Sequence, residues 1–405
     1  MSQPAKHVLS LSTLYPNPVN PRFGTFVARS LEALAKRGAE TVGQDTGGWQ
    51  VSVVNPIGLP PLALGRYREL AKLPNKAEEH GITVHRPRFT LIPKVGARRN
   101  ASAIAKAALP IIHRINEETP IDLIDAQFFF PDGPAAALIA DEMKLPLSIK
   151  ARGSDITYWG GVDFARDQML NAAIRAKGLL AVSGSMAKEM AAIGIARDKI
   201  RVHYTGLDKE RFRPLDHTQL RTQLASQLGF AMPDNAPLMV CVGALIERKG
   251  QDIAIAAAAQ IEGARLVLVG KGDDETHLRQ LARDLGLVER VHFAGSLDHD
   301  VMPLVLSAAD VMVLPTANEG LANAWVEALA CGTPVVTCDV GGAREIITNA
   351  TAGRLVKRDP ESVAAGVRAV LNDPPMRHAV AAMAEKFSWQ TNAIELAAYY
   401  DGLVS

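Results

Sequence analysis

Short apolar runs alternate with Ala- and Leu-rich helical stretches along almost all of this 405-residue chain, and the alternation is completed twice. In the first half it predicts strands near Val8–Leu11, Val51–Asn55, Leu123–Asp125, Leu147–Ala151, Gly178–Val182 and Ile200–His203. Helices are expected between them over Thr25–Arg37, Ala101–Glu117, Gly133–Met143, Asp163–Lys177 and Gly184–Ala191. In the second half, Leu238–Val242, Arg265–Val269, Val291–Ala294, Val311–Leu314, Thr333–Thr337 and Arg354–Val356 read as strands. Gln251–Gln260, Glu275–Leu285, Val301–Ala308, Ala322–Ala330, Ala343–Ile347 and Pro360–Leu371 read as the helices there. Such alternation implies an α/β protein with parallel sheets covered by helices on both faces. The length exceeds what one ordinary core serves, so two doubly wound domains are expected, over residues 1–205 and 206–385. Thr205–Pro214, rich in turn residues and charges, reads as the linker. Ligands of open α/β sheets bind at the carboxyl ends of the strands, so a central cleft faced by both sheets is where function is expected.

Hydrophobic content of 48% and charged content of 21% are those of a soluble globular protein. No apolar stretch reaches the roughly 18 residues that a membrane-spanning helix needs. Met1–Lys6 followed by Val8–Leu11 is too short and too quickly polar for a secretory signal, which leads us to expect a cytoplasmic protein. Cys241, Cys331 and Cys338 are odd in number and lie in apolar contexts, which favours buried reduced thiols. The net charge of +1 hides an asymmetry: residues 1–205 carry 26 basic and 18 acidic side chains, residues 206–405 carry 18 and 25. Arg66, Arg68, Arg86, Arg88, Lys94, Arg98 and Arg99, interspersed with Leu91, Ile92 and Val95, suit either an anionic membrane surface, at the inner face of the cytoplasmic membrane, or a phosphorylated acceptor. A plain solvated face is the alternative. Nucleic acid is disfavoured, because aromatic residues make up 5% of the chain and only Phe89 stands in that run as a stacking platform. Thr41–Gln50, rich in Gly, Gln and Thr, reads as a surface insertion without an assigned role.

The chemistry concentrates between Glu319 and Glu345: Glu319-Gly320-Leu321-Ala322-Asn323, Glu327, Gly332-Thr333-Pro334, Gly341-Gly342 and Glu345. Gly320–Asn323 is the expected turn from a buried strand into a helix, where backbone N–H groups have no partner within the helix and favour an anion. Glu319 before that helix and Glu327 inside it are placed to accept hydrogen bonds from vicinal hydroxyls. Arg248 and Lys249, ahead of Gly250, sit on the turn leaving the first strand of the second domain, where two cations complement a diphosphate. Taken alone, an Arg-Lys-Gly turn is also a common helix entry. Gly270-Lys271-Gly272 lacks the third glycine of a dinucleotide fingerprint, since Asp273-Asp274-Glu275 follows. No carboxylate cluster has the ligand spacing of a metal site. In the first domain Asn17–Gly24 joins the first strand to a helix, and Gly24 is either a close-approach glycine or a simple helix start.

Together these motifs resemble the retaining GT-B glycosyltransferases of family 4, the glycosyl transferases group 1, in which two glutamates stand separated by seven residues as Glu319 and Glu327 do. The resemblance implies two Rossmann-like domains, with a last helix, residues 386–405, crossing back to the first domain after Phe387-Ser388-Trp389. It implies that Glu327 holds the ribose hydroxyls, that Glu319 contacts the transferred sugar, and that amides of the Gly320–Asn323 turn meet phosphate and sugar. Lys249-Gly250 matches the family's Lys-Gly, Gly243 its preceding glycine, and Gly24 the glycine beside the donor phosphate. Ala244 stands where the family arginine usually is, with Arg248 as the candidate replacement. Lys271 and the Phe293–Leu297 segment would border the base. Asp125, Gln127 and Lys150-Ala151-Arg152-Gly153-Ser154-Asp155 are similar to the segments that close the acceptor side. Arg152 and Gln127 replace histidines there, an Arg-Gly-Ser-Asp version found among exopolysaccharide and teichuronic-acid-type members. The implied activity is metal-independent and needs no cofactor: transfer of a sugar from a nucleotide-diphosphate-sugar to a hydroxyl of a glycan or lipid-linked glycan. Rivals on the same fold are a non-hydrolysing nucleotide-sugar epimerase and a non-catalytic nucleotide-sugar-binding protein; a glycan phosphorylase lacks its pyridoxal lysine context here.

Overall fold

The computed structural model describes residues 5–41, 48–92, 96–216 and 219–405. Lys94, Val95 and most of the Thr41–Gln50 insertion lie outside the described residues. The chain divides into two units, Met1–Gly206 with Trp389–Ser405, and Leu207–Ser388.

The first unit runs β1 (Lys6–Leu11), α1 (Thr25–Thr41), β2 (Trp49–Val54), β3 (Ile57–Leu59), α2 (Arg66–Ala71), β4 (Lys76–Glu79), β5 (Ile82–His85), β6 (Arg88–Thr90), α3 (Ala97–Glu118), β7 (Leu123–Ala126), α4 (Asp132–Met143), β8 (Leu147–Ala151), α5 (Ser154–Thr157), α6 (Asp163–Arg175), β9 (Gly178–Ala181), α7 (Gly184–Ala192) and β10 (Ile200–Val202). Eight strands form one sheet in the order β10-β9-β8-β7-β1-β2-β5-β4. β4 is antiparallel to β5 at the edge and the other pairings are parallel. Successive side chains of a strand point to opposite faces, and β1 shows the result: Val8 joins one core with Val27, Leu31 and Val53, while Leu9 and Leu11 join the other with Ile104, Ile112 and Ile139.

Residues 56–92 hold four strands and a helix that the sequence pattern did not reveal. β3 and β6 are three residues each and form a separate pair. β4 reads Lys-Ala-Glu-Glu and exists because β5 pairs with it. This segment also corrects the expected basic surface. Arg86 is fully buried and ion-paired with Glu79, and the Arg88 guanidinium donates to the carbonyls of Arg86 and Leu73. A buried cation persists only when paired, and the β4 carboxylate draws Arg86 inward. Arg66, Arg68, Arg98 and Arg99 stay exposed.

The second unit runs α8 (Leu220–Leu228), β11 (Leu238–Val242), α9 (Gln251–Ala259), β12 (Arg265–Val269), α10 (Glu275–Asp284), β13 (Val291–Gly295), α11 (Met302–Ala308), β14 (Val311–Leu314), α12 (Asn323–Ala330), β15 (Val335–Cys338), α13 (Ala343–Ile346), β16 (Gly353–Val356), α14 (Pro360–Asn372) and α15 (Arg377–Ala382). Its all-parallel sheet has the order β13-β12-β11-β14-β15-β16, so the winding direction reverses between β11 and β14. That reversal is the crevice where doubly wound sheets take ligands. At the opposite edge, Arg221 of α8 ties the amino ends of β11 and β14 together: it donates to Asp310 at 2.5 Å and to the Asp234 and Ala236 carbonyls at 2.8 Å.

The last helix, α16 (Trp389–Val404), belongs to the first unit and packs beside α1. Tyr400 meets Trp49 edge to face at 5.4 Å between ring centroids, and Asp401 accepts from Lys6 at 2.8 Å and from the Trp49 indole at 3.2 Å. Cys241, Cys331 and Cys338 are buried free thiols. No helix among the described residues is long and apolar enough to cross a membrane.

Candidate functional site

Two loops at the β11/β14 reversal bring three of the singled-out residues together. The loop after β11 ends in a 3-10 turn, Glu247–Lys249, and the loop after β14 carries Glu319. Lys249 Nζ is ion-paired with Glu319 Oε1, each side chain 13% exposed. Arg248 Nη1 lies 3.4 Å from Glu319 Oε2 and also donates to the Asn318 carbonyl. Both cations therefore converge on one carboxylate 70 residues further along the chain, and the group carries a net positive charge.

The two loops are laced into one body. Ala317 N donates to the Arg248 carbonyl at 2.8 Å, and the buried Thr316 hydroxyl donates toward the carbonyls of Arg248 and Asn318. Arg358 bridges from outside, to Pro315 O at 3.1 Å and Glu247 O at 2.9 Å. Gly250, at φ +74, lies against the Pro315 carbonyl so closely that a methyl group would collide with it. Thr316 and Arg358 escaped sequence reading; a polar residue directly after the apolar run Val311–Pro315 was the available signal for the first, and nothing local marks the second.

The helix after Glu319 starts without a side-chain cap: Ala322 precedes Asn323 and has no side-chain acceptor to offer the first amides of α12. Those N–H groups and the helix dipole favour an anion. Gly320 O accepts from Gly342 N at 2.6 Å, so the turn rests on the β15–α13 loop. Glu327 sits within α12, its carboxylate 14% exposed and 3.5 Å from His299 Nε2, a residue that sequence reading did not single out. Gly243 packs on the Lys249 aliphatic stem, and Lys271, after β12, runs its stem beside Gly295. Leu297 is half-buried in the loop after β13. Among the described residues no group of three or more His, Cys, Asp or Glu side chains is placed to hold a metal ion.

The remaining candidates lie in the first unit, at its own reversal between β1 and β7. Gly24, at φ +72, opens α1 where a methyl would meet Leu14 O at 2.5 Å, so close backbone approach alone requires glycine there. Asp125 accepts from Gln127 Nε2 and from Ser10 at 3.2 Å, and Gln127 Oε1 in turn accepts from Arg152 Nη2. Arg152 also donates from Nε to Gln127 O at 3.1 Å and lies over the Phe26 ring at 5.1 Å. Burial pulls its guanidinium down to about 10 against the pull of Asp125 and Asp155. Arg152 lines a cavity of about 330 Å³ with Thr13, Leu14, Phe23, Phe26, Phe128 and Ser154. Asp155 does not face a ligand space: its carboxylate is spent on the amides of Phe129, Arg152 and Gly153.

Asp132, at the start of α4, is fully buried and accepts from Thr13 N at 2.9 Å and Thr13 Oγ1 at 2.7 Å. Burial lifts its carboxyl to about 7, the two Thr13 bonds opposing. The folded state thus holds a proton that the unfolded chain has released above about pH 4, so this residue's contribution to stability falls as pH rises from about 4 to 7. Asp132→Asn should flatten stability between pH 5 and 7 by roughly 2 kcal/mol relative to wild type. Urea unfolding at both pH values checks this, and parallel curves for the two proteins would refute it.

Comparison with known proteins bears on the family and the fold. Residues 229–387 match the family model described as glycosyl transferases group 1, and residues 24–211 match that of glycosyltransferase family 4. TuaC of Bacillus subtilis, assigned to teichuronic acid biosynthesis, is 26% identical over 84% of this chain and 82% of its own. A GDP-mannose-dependent monoacylated alpha-(1-6)-phosphatidylinositol monomannoside mannosyltransferase of Corynebacterium glutamicum is 34% identical over 46% of this chain and 52% of its own. The chain spans about half the length of the curated relatives it matches at this level of identity. The Anabaena HepE protein, solved in complex with UDP, superposes with a TM-score of 0.73 over 98% of this chain and 100% of that one, at 21% identity. With two doubly wound units and matches to both family models, the chain belongs to the group 1 glycosyltransferases of family 4 and has the GT-B fold.

Proposed function

We propose that this protein is a retaining, metal-independent glycosyltransferase that moves a sugar from a nucleotide-diphosphate-sugar to a hydroxyl of a glycan or lipid-linked glycan in envelope or extracellular polysaccharide synthesis. The observation that carries the reading is the convergence of Arg248 and Lys249 on Glu319 at the β11/β14 reversal, beside the uncapped amides of α12. In the free protein the Glu319 carboxylate occupies both cations. A donor diphosphate would take over Lys249 and Arg248 and release Glu319 to accept from hydroxyls of the transferred sugar. Arg248, Lys249 and the helix amides would then neutralise the phosphate oxygen that gains charge as the glycosidic bond breaks. The acceptor oxygen attacks the same face of the sugar and passes its proton to the departing phosphate, so no protein nucleophile is required, no resident cofactor enters, and the two-carboxylate arrangement of glycoside hydrolases is unnecessary.

The acceptor is assigned to the first unit, with Arg152, Gln127 and Asp125 as one hydrogen-bonded chain. TuaC supports an envelope polysaccharide as the acceptor class. Leu62 and Leu64, 73% and 65% exposed, beside Arg66 and Arg68 support contact with an anionic membrane surface, and the cytoplasmic face is the location this implies.

Thermal unfolding with UDP-, GDP- and ADP-sugars tests the donor site. The right nucleotide at about a hundred times its Kd should raise Tm by roughly 5–10 °C. No shift with any of the three would remove the donor reading. Interconversion of the donor sugar without acceptor would instead identify an epimerase, and binding without turnover would identify a sensor.

A further inference from the structure

We propose that His299 is a positioning residue for the donor ribose, holding the Glu327 carboxylate ready for the ribose diol and itself held by Arg211. This rests on the donor reading above. Arg211 Nη1 lies 2.9 Å from His299 Nδ1. A guanidinium has donors only, so Nδ1 must accept, and the ring proton of the neutral imidazole is placed on Nε2. Nε2 is the atom that faces Glu327, 3.5 Å from Oε1. The tautomer that Arg211 selects therefore aims an N–H at the carboxylate rather than a lone pair.

One further contact fixes the ring and another holds Arg211. It packs edge to face on Phe212, which is 2% exposed, with centroids 5.0 Å apart. Arg211 is anchored in turn by Asp300, 3.2 Å from its Nη2. The result is a relay running from Asp300 through Arg211 and His299 to Glu327. A carboxylate with one oxygen 3.5 Å from the His299 Nε2 keeps its other lone pairs for vicinal hydroxyls, and the neighbouring N–H favours one rotamer before the donor arrives. His299 itself is 57% exposed, so its effect is on orientation and is modest.

The test is calorimetric titration of UDP, GDP and ADP into wild type, His299→Ala, His299→Gln and Arg211→Ala, followed by the 2′- and 3′-deoxy forms of the tightest binder. His299→Ala should weaken the ribonucleotide roughly three- to fivefold, the range expected of an exposed charge-assisted contact. It should leave the deoxy forms unchanged, so that discrimination between ribose and deoxyribose shrinks. His299→Gln, whose amide offers a donor in place of Nε2–H, should recover most of the loss, and Arg211→Ala should fall between. In steady-state transfer the loss should appear in KM, with kcat within about twofold. An undiminished ribose preference in His299→Ala overturns this inference alone. A wild type that binds none of the three nucleotides, or binds ribo and deoxy forms equally, overturns the donor reading and this inference with it.

Discussion

Lys249→Ala should lower kcat/KM for sugar transfer by a factor of about 100 to 1000 while the protein still unfolds as a folded protein does. The magnitude is that of removing one preorganised donor from a site where negative charge develops, about 3–4 kcal/mol. Lys249 supplies that donor from a side chain only 13% exposed, so water does little to screen or replace it. Arg248, 46% exposed, can compensate in part, which caps the loss below complete abolition. Lys249→Arg keeps the charge with a different geometry and should retain an intermediate rate. The loss should fall mainly on kcat, because the charge that Lys249 meets is larger at the transition state than in the bound donor. Glu319→Ala is the complementary variant: it releases both cations, so nucleotide diphosphate binding should tighten or hold while transfer is lost. Measured rates for Lys249→Ala within threefold of wild type would remove Lys249 from the reaction.

Much of this arrangement is legible in the sequence for a physical reason. Strands of a parallel sheet covered on both faces read as near-continuous apolar runs, so Leu238–Val242, Leu266–Val269 and Val311–Leu314 declare themselves without knowledge of their neighbours, and the helices between them follow. The family resemblance put Lys249 and Glu319 at one donor site but not in contact, because nothing in the chain connects two residues 70 positions apart until the sheet order brings their loops together. Where an element is specified by its partner, the sequence is silent. β4 is charged and becomes a strand only beside β5. Arg86 reads as surface charge until Glu79 draws it inside. His299 stands in a polar stretch, Asp298-His299-Asp300, and acquires meaning from Arg211 and Glu327, each far from it along the chain. Asp155 differs in the other direction: the resemblance set it in a segment closing the acceptor side, and the turn it closes engages its carboxylate with the amides of Phe129, Arg152 and Gly153.

Gly341→Ala should cost transfer activity about a hundredfold although the residue makes no side-chain contact with any ligand. Gly341 has φ +53, and a methyl group built on it would overlap the Glu319 carbonyl oxygen. Its neighbour Gly342 donates to Gly320 O at 2.6 Å, so the β15–α13 turn is the seat on which the Glu319–Gly320 backbone rests. An alanine must push that backbone away, and a displacement near 1 Å at a reacting centre is enough for a loss of about that size. The left-handed backbone alone would cost roughly 1–2 kcal/mol of stability, which by itself says nothing about the site. Gly229 separates the two effects: it has φ +61 at the end of α8, with nothing within 4 Å of an added methyl. Gly229→Ala should therefore lose comparable stability in urea unfolding and keep full transfer, whereas Gly341→Ala loses both. Equal activity in the two variants would show that the position of Glu319 does not depend on the glycine pair, and that the β14–α12 loop is held by Thr316 and Arg358 alone.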